Sequence, residues 1–214
     1  MEYLKKLHLP DQMGKRLLMS LVGVMITACT VGTFKIAELG ADPHTCMVIG
    51  WANIFHTSYG TVYPFVVGAL LVIDFLFDRS RLGIATLLNL FLTGFIADKV
   101  YEWLLPVALF TTLPGRIGLL LVTLVGLCFA SSLYFTANLG VSGYDGISQI
   151  IAERRKWPFR LCRIGTDCLC VAFGLIFGVR FGADVGFGTI LTAFCMGPLI
   201  QWFNDHVSIP LLRK

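Results

Sequence analysis

The feature that most constrains this chain is a series of apolar blocks, each close to the length of a membrane crossing. There are six of them, at residues 17–37, 62–77, 82–104, 117–137, 164–181 and 186–203. A helix needs about 20 apolar residues, within a range of about 17–25, to cross the hydrocarbon layer. Two of the blocks fall slightly short and borrow from their flanks. Composition agrees: 56% of the 214 residues are hydrophobic and only 14% charged, where a soluble domain carries about 25% charged residues. The expected fold class is all-α, a polytopic membrane protein of six transmembrane helices, with 1–214 forming one integral membrane domain. Its obligate partner is the lipid bilayer. The first apolar block is longer than a signal-peptide core and no small-x-small cleavage pattern follows it, so it reads as a retained helix.

Two further segments, 43–55 and 144–153, are too short to cross. The first opens Asp42-Pro43, an N-cap followed by proline at the first helical position, and sets Met47, Trp51, Ile54 and Phe55 on one helical face. The second sets Ile147, Ile150 and Ile151 against Asp145, Gln149 and Glu153. Both read as short amphipathic helices that lie at the interface or dip into the protein.

An offset of 100 aligns the two halves, with Arg16 on Arg116, Leu21-Val22 on Leu121-Val122 and Leu39-Gly40 on Leu139-Gly140. Shifting to 103 sets Gly83 on Gly186, Thr86 on Thr189 and Gly94 on Gly197. The chain therefore reads as a duplication, 16–104 and 116–204. With three crossings per half, the second half enters the membrane from the opposite side. Such 3+3 inverted repeats resemble the build of many secondary transporters. A cytoplasmic N-terminus and six crossings put Lys5, Lys6, Lys15, Arg16, Arg79, Arg81, Arg154, Arg155, Lys156, Arg160, Arg163, Arg213 and Lys214 on the cytoplasmic side, with both termini. Lys99, Arg116 and Arg180 fall outside. This is the positive-inside pattern, although eight crossings would satisfy it equally. The length of the short segments decides for six.

Two glycine-led stretches, Gly40-Ala-Asp-Pro-His44 and Gly140-Val-Ser-Gly-Tyr-Asp145, followed by Gly-x-x-Thr segments, make the chain resemble the YitT/YczE-type bacterial integral membrane proteins. In that family the stretch runs from glycine through small residues and proline to an aromatic and a polar residue. Here the first copy has His44 at the aromatic position, and the second has Gly143 at the proline position. The resemblance covers nearly the whole chain and implies a bacterial inner-membrane protein associated with transport, of undefined substrate.

The glycine-led stretches are the first candidates for binding. Free N–H groups and the helix dipole at a helix start favour an anion, and two such ends meeting centrally would suit a carboxylate, phosphate or sulfonate. The substrate-binding candidates are Gly40, Asp42, His44, Gly140, Tyr144 and Asp145. The competing reading is that Asp42 and Asp145 fill the helix ends themselves as caps. Charged groups within crossings come next: Asp74 and Asp167 are candidates for ion or proton coupling, with Asp167 also placed to pair with Arg163 one turn earlier. Lys35 and Glu38 are spaced to pair on one face. Asn89 and its counterpart Thr192 are expected to bridge helices. The run Arg154-Arg155-Lys156 reads as a topology anchor and as a site for anionic headgroups.

Of the seven cysteines, Cys168 and Cys170 are two apart and point to different sides of a helix, which is poor geometry for a shared metal. The odd number and the absence of a secreted framework argue against disulfides. No metal, cofactor, nucleic-acid or enzyme signature appears. The function expected is secondary transport of a small solute, an anionic metabolite being the type that suits the helix ends. The alternative is a non-transporting ligand-binding or assembly subunit that acts with a partner protein. A chain this small is compatible with a homo-oligomer, but no residue marks a dimer face.

Overall fold

The computed structural model describes residues 12–79, 82–107, 112–178 and 185–213. Lys5, Lys6, Arg81, Arg180, Lys214 and the last residues of the expected 164–181 crossing lie outside them. Among the described residues the order is α1 (Met13–Ala37), α2 (Pro43–Ile54), α3 (Tyr59–Phe77), α4 (Ile84–Leu104), α5 (Leu113–Ala137), α6 (Gly143–Arg155), α7 (Phe159–Gly178) and α8 (Phe187–Phe203). A π-helical turn (Asn204–Ser208) and a last short helix, α9 (Ile209–Arg213), follow. No strand occurs among them. The order long, short, long, long is thus written twice.

Several helices start earlier than hydropathy alone places them, because polar caps belong to the helix. Ser58 accepts a hydrogen bond from Thr61 N at 3.2 Å ahead of α3, and Thr112 accepts one from Gly115 N at 3.4 Å ahead of α5. Each fills one of the donors that a helix start leaves open.

Four helices, α1, α3, α4 and α5, are long and apolar enough to cross a membrane. Of the remaining long pair, α7 carries Arg160, Arg163 and Asp167, and α8 has 17 residues. At 12 and 13 residues, α2 and α6 extend about 18–20 Å at 1.5 Å per residue, well short of a hydrocarbon layer of about 30 Å. The surface is inside-out relative to a soluble protein. Phe65, Leu76, Val122, Leu169 and Ile176 are exposed, while Thr45, Asn89, Thr93, Ser132, Asp145 and Asp167 are buried. The chain is a multi-pass membrane protein.

The centre is the pair α1–α5, which run antiparallel. Arg16, at the start of α1, donates to the Ala137 carbonyl at the end of α5 (2.9 Å), and Arg116, at the start of α5, pairs with Glu38 just past α1 (2.8 Å). Small residues allow close approach: a side-chain carbon at Gly23 would lie 2.9 Å from the Ala130 carbonyl oxygen.

The contacts between halves are reciprocal. Each of α1 and α5 ends in a left-handed residue, Glu38 and Asn138, and the following Gly40 (φ 101°) and Gly140 (φ 114°) occupy backbone conformations that need glycine. Gly188 N then donates to the Leu39 carbonyl at 2.7 Å, and Ala85 N to the Leu139 carbonyl at 3.1 Å. Each half's glycine corner therefore seats the last helix of the other half. Likewise α2 packs on α7 and α6 on α3.

The expected Lys35–Glu38 pair does not form. Lys35 turns to Asp98 of α4 at 3.1 Å and lies over the Tyr101 ring at 4.3 Å, while Glu38 takes Arg116. The reason is geometric: Glu38 has left the helix in a left-handed conformation, so helical spacing no longer applies to it.

Candidate functional site

The starts of the two short helices meet in the middle of the molecule. His44, in the first turn of α2, stacks on Tyr144, in the first turn of α6, with centroids 4.8 Å apart, and meets Tyr63 of α3 edge-on at 6.0 Å. Around them is a cavity of about 60 Å³. Its lining pairs positions related by the offset of 100: Thr27 with Leu127, Val31 with Ser131, Asp42 with Ser142, His44 with Tyr144, Thr45 with Asp145, and Tyr63 with Arg163. Tyr59, Asn89, Thr93, Tyr134 and Met196 complete it.

The two helix starts are closed by side-chain oxygens. Asp42 Oδ1 accepts from Thr45 N at 3.2 Å, and Ser142 Oγ accepts from Asp145 N at 3.4 Å. Asp42 therefore caps α2 through Oδ1. Asp145 does not cap, because Ser142 already holds that position. Instead Asp145 accepts hydrogen bonds from the Tyr134 hydroxyl, from Ser142 Oγ at 2.9 Å, and from Arg163. Arg163 also reaches Asp167 through Nε at 3.4 Å and lies over the Tyr144 ring at 4.4 Å; the Tyr144 hydroxyl donates to Asp167. This network is nearly dry: the side chains of Arg163, Asp145 and Asp167 are 12%, 10% and 2% exposed. The local Arg163–Asp167 pair expected from spacing forms, but deep in the protein and shared with Asp145.

Charge does not balance here. Asp42, Asp145 and Asp167 face one guanidinium, so the site carries excess negative charge when all three are ionised. Several buried polar atoms of the lining have no hydrogen-bond partner among the described residues: Asp42 Oδ2, His44 Nε2, Thr45 Oγ1, Tyr59 Oη and Thr93 Oγ1. Buried polar groups are normally satisfied, so a cavity lined by several that are not is suited to water or to a ligand.

Two larger cavities adjoin this one. One of about 320 Å³ is lined by Phe135, Gln149, Ala152, Glu153, Gln201 and Asn204, and shares Arg163 and Met196 with the central cavity. The other, of about 380 Å³, is lined by Lys35, Ile49, Ala52, Asn53, Asp98 and Tyr101, and shares Tyr59 with it. Since α1 and α5 are antiparallel, Lys35 and Phe135 mark opposite ends of the molecule. The linings again correspond across the halves: Lys35 with Phe135, Ile49 with Gln149, Ala52 with Ala152, Asn53 with Glu153 and, at the offset of 103, Asp98 with Gln201.

Of the residues singled out in the sequence, Asp42, His44, Tyr144 and Asp145 line the central cavity, and Asp167 stands directly behind it. Gly40 and Gly140 do not line it; they seat Gly186 and Gly83, and a side-chain carbon at either would lie 2.6 Å from the opposing backbone nitrogen. Asp74 is buried against Gly146 on α6 and lies outside the lining. Asn89 bridges helices by accepting from the Tyr63 hydroxyl at 2.6 Å, and also faces the cavity. Thr192 donates within its own helix, to the Thr189 carbonyl at 2.9 Å, rather than bridging to another. Sequence reasoning missed Tyr59, Tyr63, Tyr134, Thr45 and Thr93. Pairing each polar residue with its repeat counterpart would have found Thr45 through Asp145 and Tyr63 through Arg163. Among the described residues no group of acidic, histidine or cysteine side chains is arranged to hold a metal ion.

Residues 14–205 match a family described as a family of unknown function, DUF6198. The chain is similar to the Uncharacterized membrane protein YczE of Bacillus subtilis (strain 168), with 31% identity over 195 residues, 89% of this chain and 86% of the relative. It is also similar to an Uncharacterized protein of Haemophilus influenzae (strain ATCC 51907 / DSM 11121 / KW20 / Rd), with 25% identity over 178 residues, 83% of this chain and 78% of the relative. No solved structure matches.

Proposed function

We propose, for a chain that belongs to the YczE-type membrane family known as DUF6198, that it is a secondary transporter of a small solute, built as a 3+3 inverted repeat of six crossings. The observation that carries this reading is the line of three cavities. A small polar cavity lies between the halves, and one larger cavity at each end of the α1–α5 pair touches it through a single side of its lining. Alternating access requires such a site, reached from either side but not from both at once.

On this reading α7 and α8 cross with the other four long helices, and α2 and α6 are re-entrant. Both termini face the cytoplasm across a bacterial plasma membrane. The cavity containing Arg163 opens inward and the one containing Lys35 and Asp98 opens outward. Tyr59 is common to the centre and the outward cavity, and Arg163 to the centre and the inward one, so these two side chains are the candidate gates.

The central cavity bears on the substrate. About 60 Å³ holds roughly two waters, at about 30 Å³ each. The site must therefore widen to take a metabolite. The anionic preference expected from the helix starts has less support, because Asp42 and Ser142 already fill those starts and the carboxylates outnumber Arg163.

The test is flux. The purified protein alone in liposomes should carry out saturable exchange of one solute class, chosen from solutes that raise its thermal stability in detergent. Arg163→Met should abolish that exchange. A stabilising solute that never moves without a second chain would sink the reading and favour a ligand-binding subunit.

A further inference from the structure

The central cavity contains two different polar environments. On the side of α6 and α7, Asp145, Arg163, Asp167, Tyr134 and Tyr144 largely satisfy one another. On the side of α2, α3 and α4, Tyr63 and Asn89 bond each other, but several other polar atoms are left open. Asp42 is 7% exposed and uses one carboxylate oxygen as the cap of α2; Oδ2 has no partner among the described residues. Tyr59, Thr45 and Thr93 are 2%, 1% and 1% exposed; Tyr59 lies beside Thr45 and Thr93 beside Tyr63, but none of the three hydroxyls makes a hydrogen bond of normal geometry among the described residues. These four come from the helices α2, α3 and α4 and the cap of α2, and line the same small space.

We infer that this half of the cavity is a binding site for a small monovalent cation such as Na⁺, held by Asp42 Oδ2 and the hydroxyl oxygens of Thr45, Tyr59 and Thr93. Four considerations converge. First, a carboxylate oxygen buried without a partner is costly, and a bound cation removes that cost. Second, the open donors here are oxygens apart from His44 Nε2, and a predominantly oxygen donor set selects hard ions over transition metals. Third, among the described lining residues only one carboxylate oxygen is open, because both oxygens of Asp145 are engaged by Arg163, Tyr134 and Ser142 and Asp167, whose Oδ2 is also open, stands behind the lining. That limits the site to a single charge. Fourth, the space accommodates an ion with a water or two, which favours a small inorganic cation over a bulky organic one. Arg163 does not cancel the field at this site, because its charge is already divided between Asp145 and Asp167.

This site deepens the transport reading by supplying a coupling ion beside the solute position, and its place between the two outer cavities rests on that reading. Binding itself can be measured without it. The purified protein would be melted in detergent in NaCl, KCl or choline chloride at one ionic strength. A saturating rise in melting temperature with Na⁺, weaker with K⁺ and absent with choline, is expected.

Asp42→Asn should remove the rise without lowering the melting temperature in choline, because asparagine caps a helix as well as aspartate does and the uncompensated buried charge is gone. Tyr59→Phe keeps the ring and loses only the oxygen, and should raise the half-saturating Na⁺ concentration about tenfold, the effect of one lost charge-assisted contact. Identical melting curves in the three salts would overturn the cation site, as would a Na⁺ effect that survives both substitutions. Failure of the transport reading looks different: a Na⁺-specific shift abolished by Asp42→Asn, with no solute flux in liposomes, leaves the cation site standing and removes the transporter.

Discussion

Arg163 should be the most sensitive charged position in the protein, and the magnitude can be worked from its neighbours. Its guanidinium, 12% exposed, bonds Asp145 and lies 3.4 Å from Asp167, carboxylates whose side chains are 10% and 2% exposed. Arg163→Met keeps the length and apolar stem but strands two buried carboxylates. Removing one partner of a buried pair costs about 3–5 kcal/mol, because the charge left behind is uncompensated. Asp145→Asn should cost less, about 1.5–3 kcal/mol, since Arg163 then keeps Asp167 and the introduced amide can keep the bonds to Tyr134 and Ser142. In the double variant only Asp167 is stranded, and it retains the Tyr144 hydroxyl. The double loss should therefore fall short of the sum of the singles by about 1–3 kcal/mol. Equilibrium unfolding in mixed detergent micelles, followed by tryptophan fluorescence, measures all three losses. Additivity within about 0.5 kcal/mol, or an Arg163→Met loss under about 1 kcal/mol by the surface-pair standard, would refute the buried network.

Gly140→Ala and Gly40→Ala should each cost about 2–4 kcal/mol, from a left-handed backbone and overpacking against Gly83 or Gly186. Gly165→Ala, with open space at its Cβ, should be neutral or stabilising by up to about 1 kcal/mol, so equal losses in the same unfolding assay would contradict the packing. Asp98→Ala should destabilise more than Glu38→Ala, because Asp98 holds Lys35 at 3.1 Å and Gly60 N at 2.8 Å, whereas the Glu38 side chain is 58% exposed and surface pairs contribute about 0–1 kcal/mol. Ser142→Ala should cost about 1 kcal/mol as a lost cap, and a larger loss would mean that its bond to Asp145 dominates. In a cysteine-free background, a cysteine at Glu102 should react with an impermeant thiol reagent from outside and one at Arg155 only from inside. Labelling of both from one face would end the six-crossing inverted topology.

The sequence alone carried the class of the fold. Apolar blocks of crossing length can only be satisfied as buried or lipid-facing helices, and the Asp42-Pro43 signal marked the start of α2 to the residue. The two glycine corners were legible at Leu39-Gly40 and Leu139-Gly140 because a backbone forced to positive φ tolerates little but glycine, so the fold writes that constraint into the letters. What only the tertiary structure decided was which groups meet. Lys35 chose Asp98, 63 positions away, over the nearby Glu38, because the chain leaves its helix between them. Ser142 holds the cap of α6, and Asp145, inside its first turn, binds Arg163. The central hydroxyls of Tyr59, Tyr63 and Tyr134 were invisible to hydropathy, which scores a tyrosine by its ring as much as by its oxygen. Charge and polarity along a chain say that a buried polar site must exist. Which oxygens are left open in it is set by packing between helices far apart in sequence, and no local pattern encodes that.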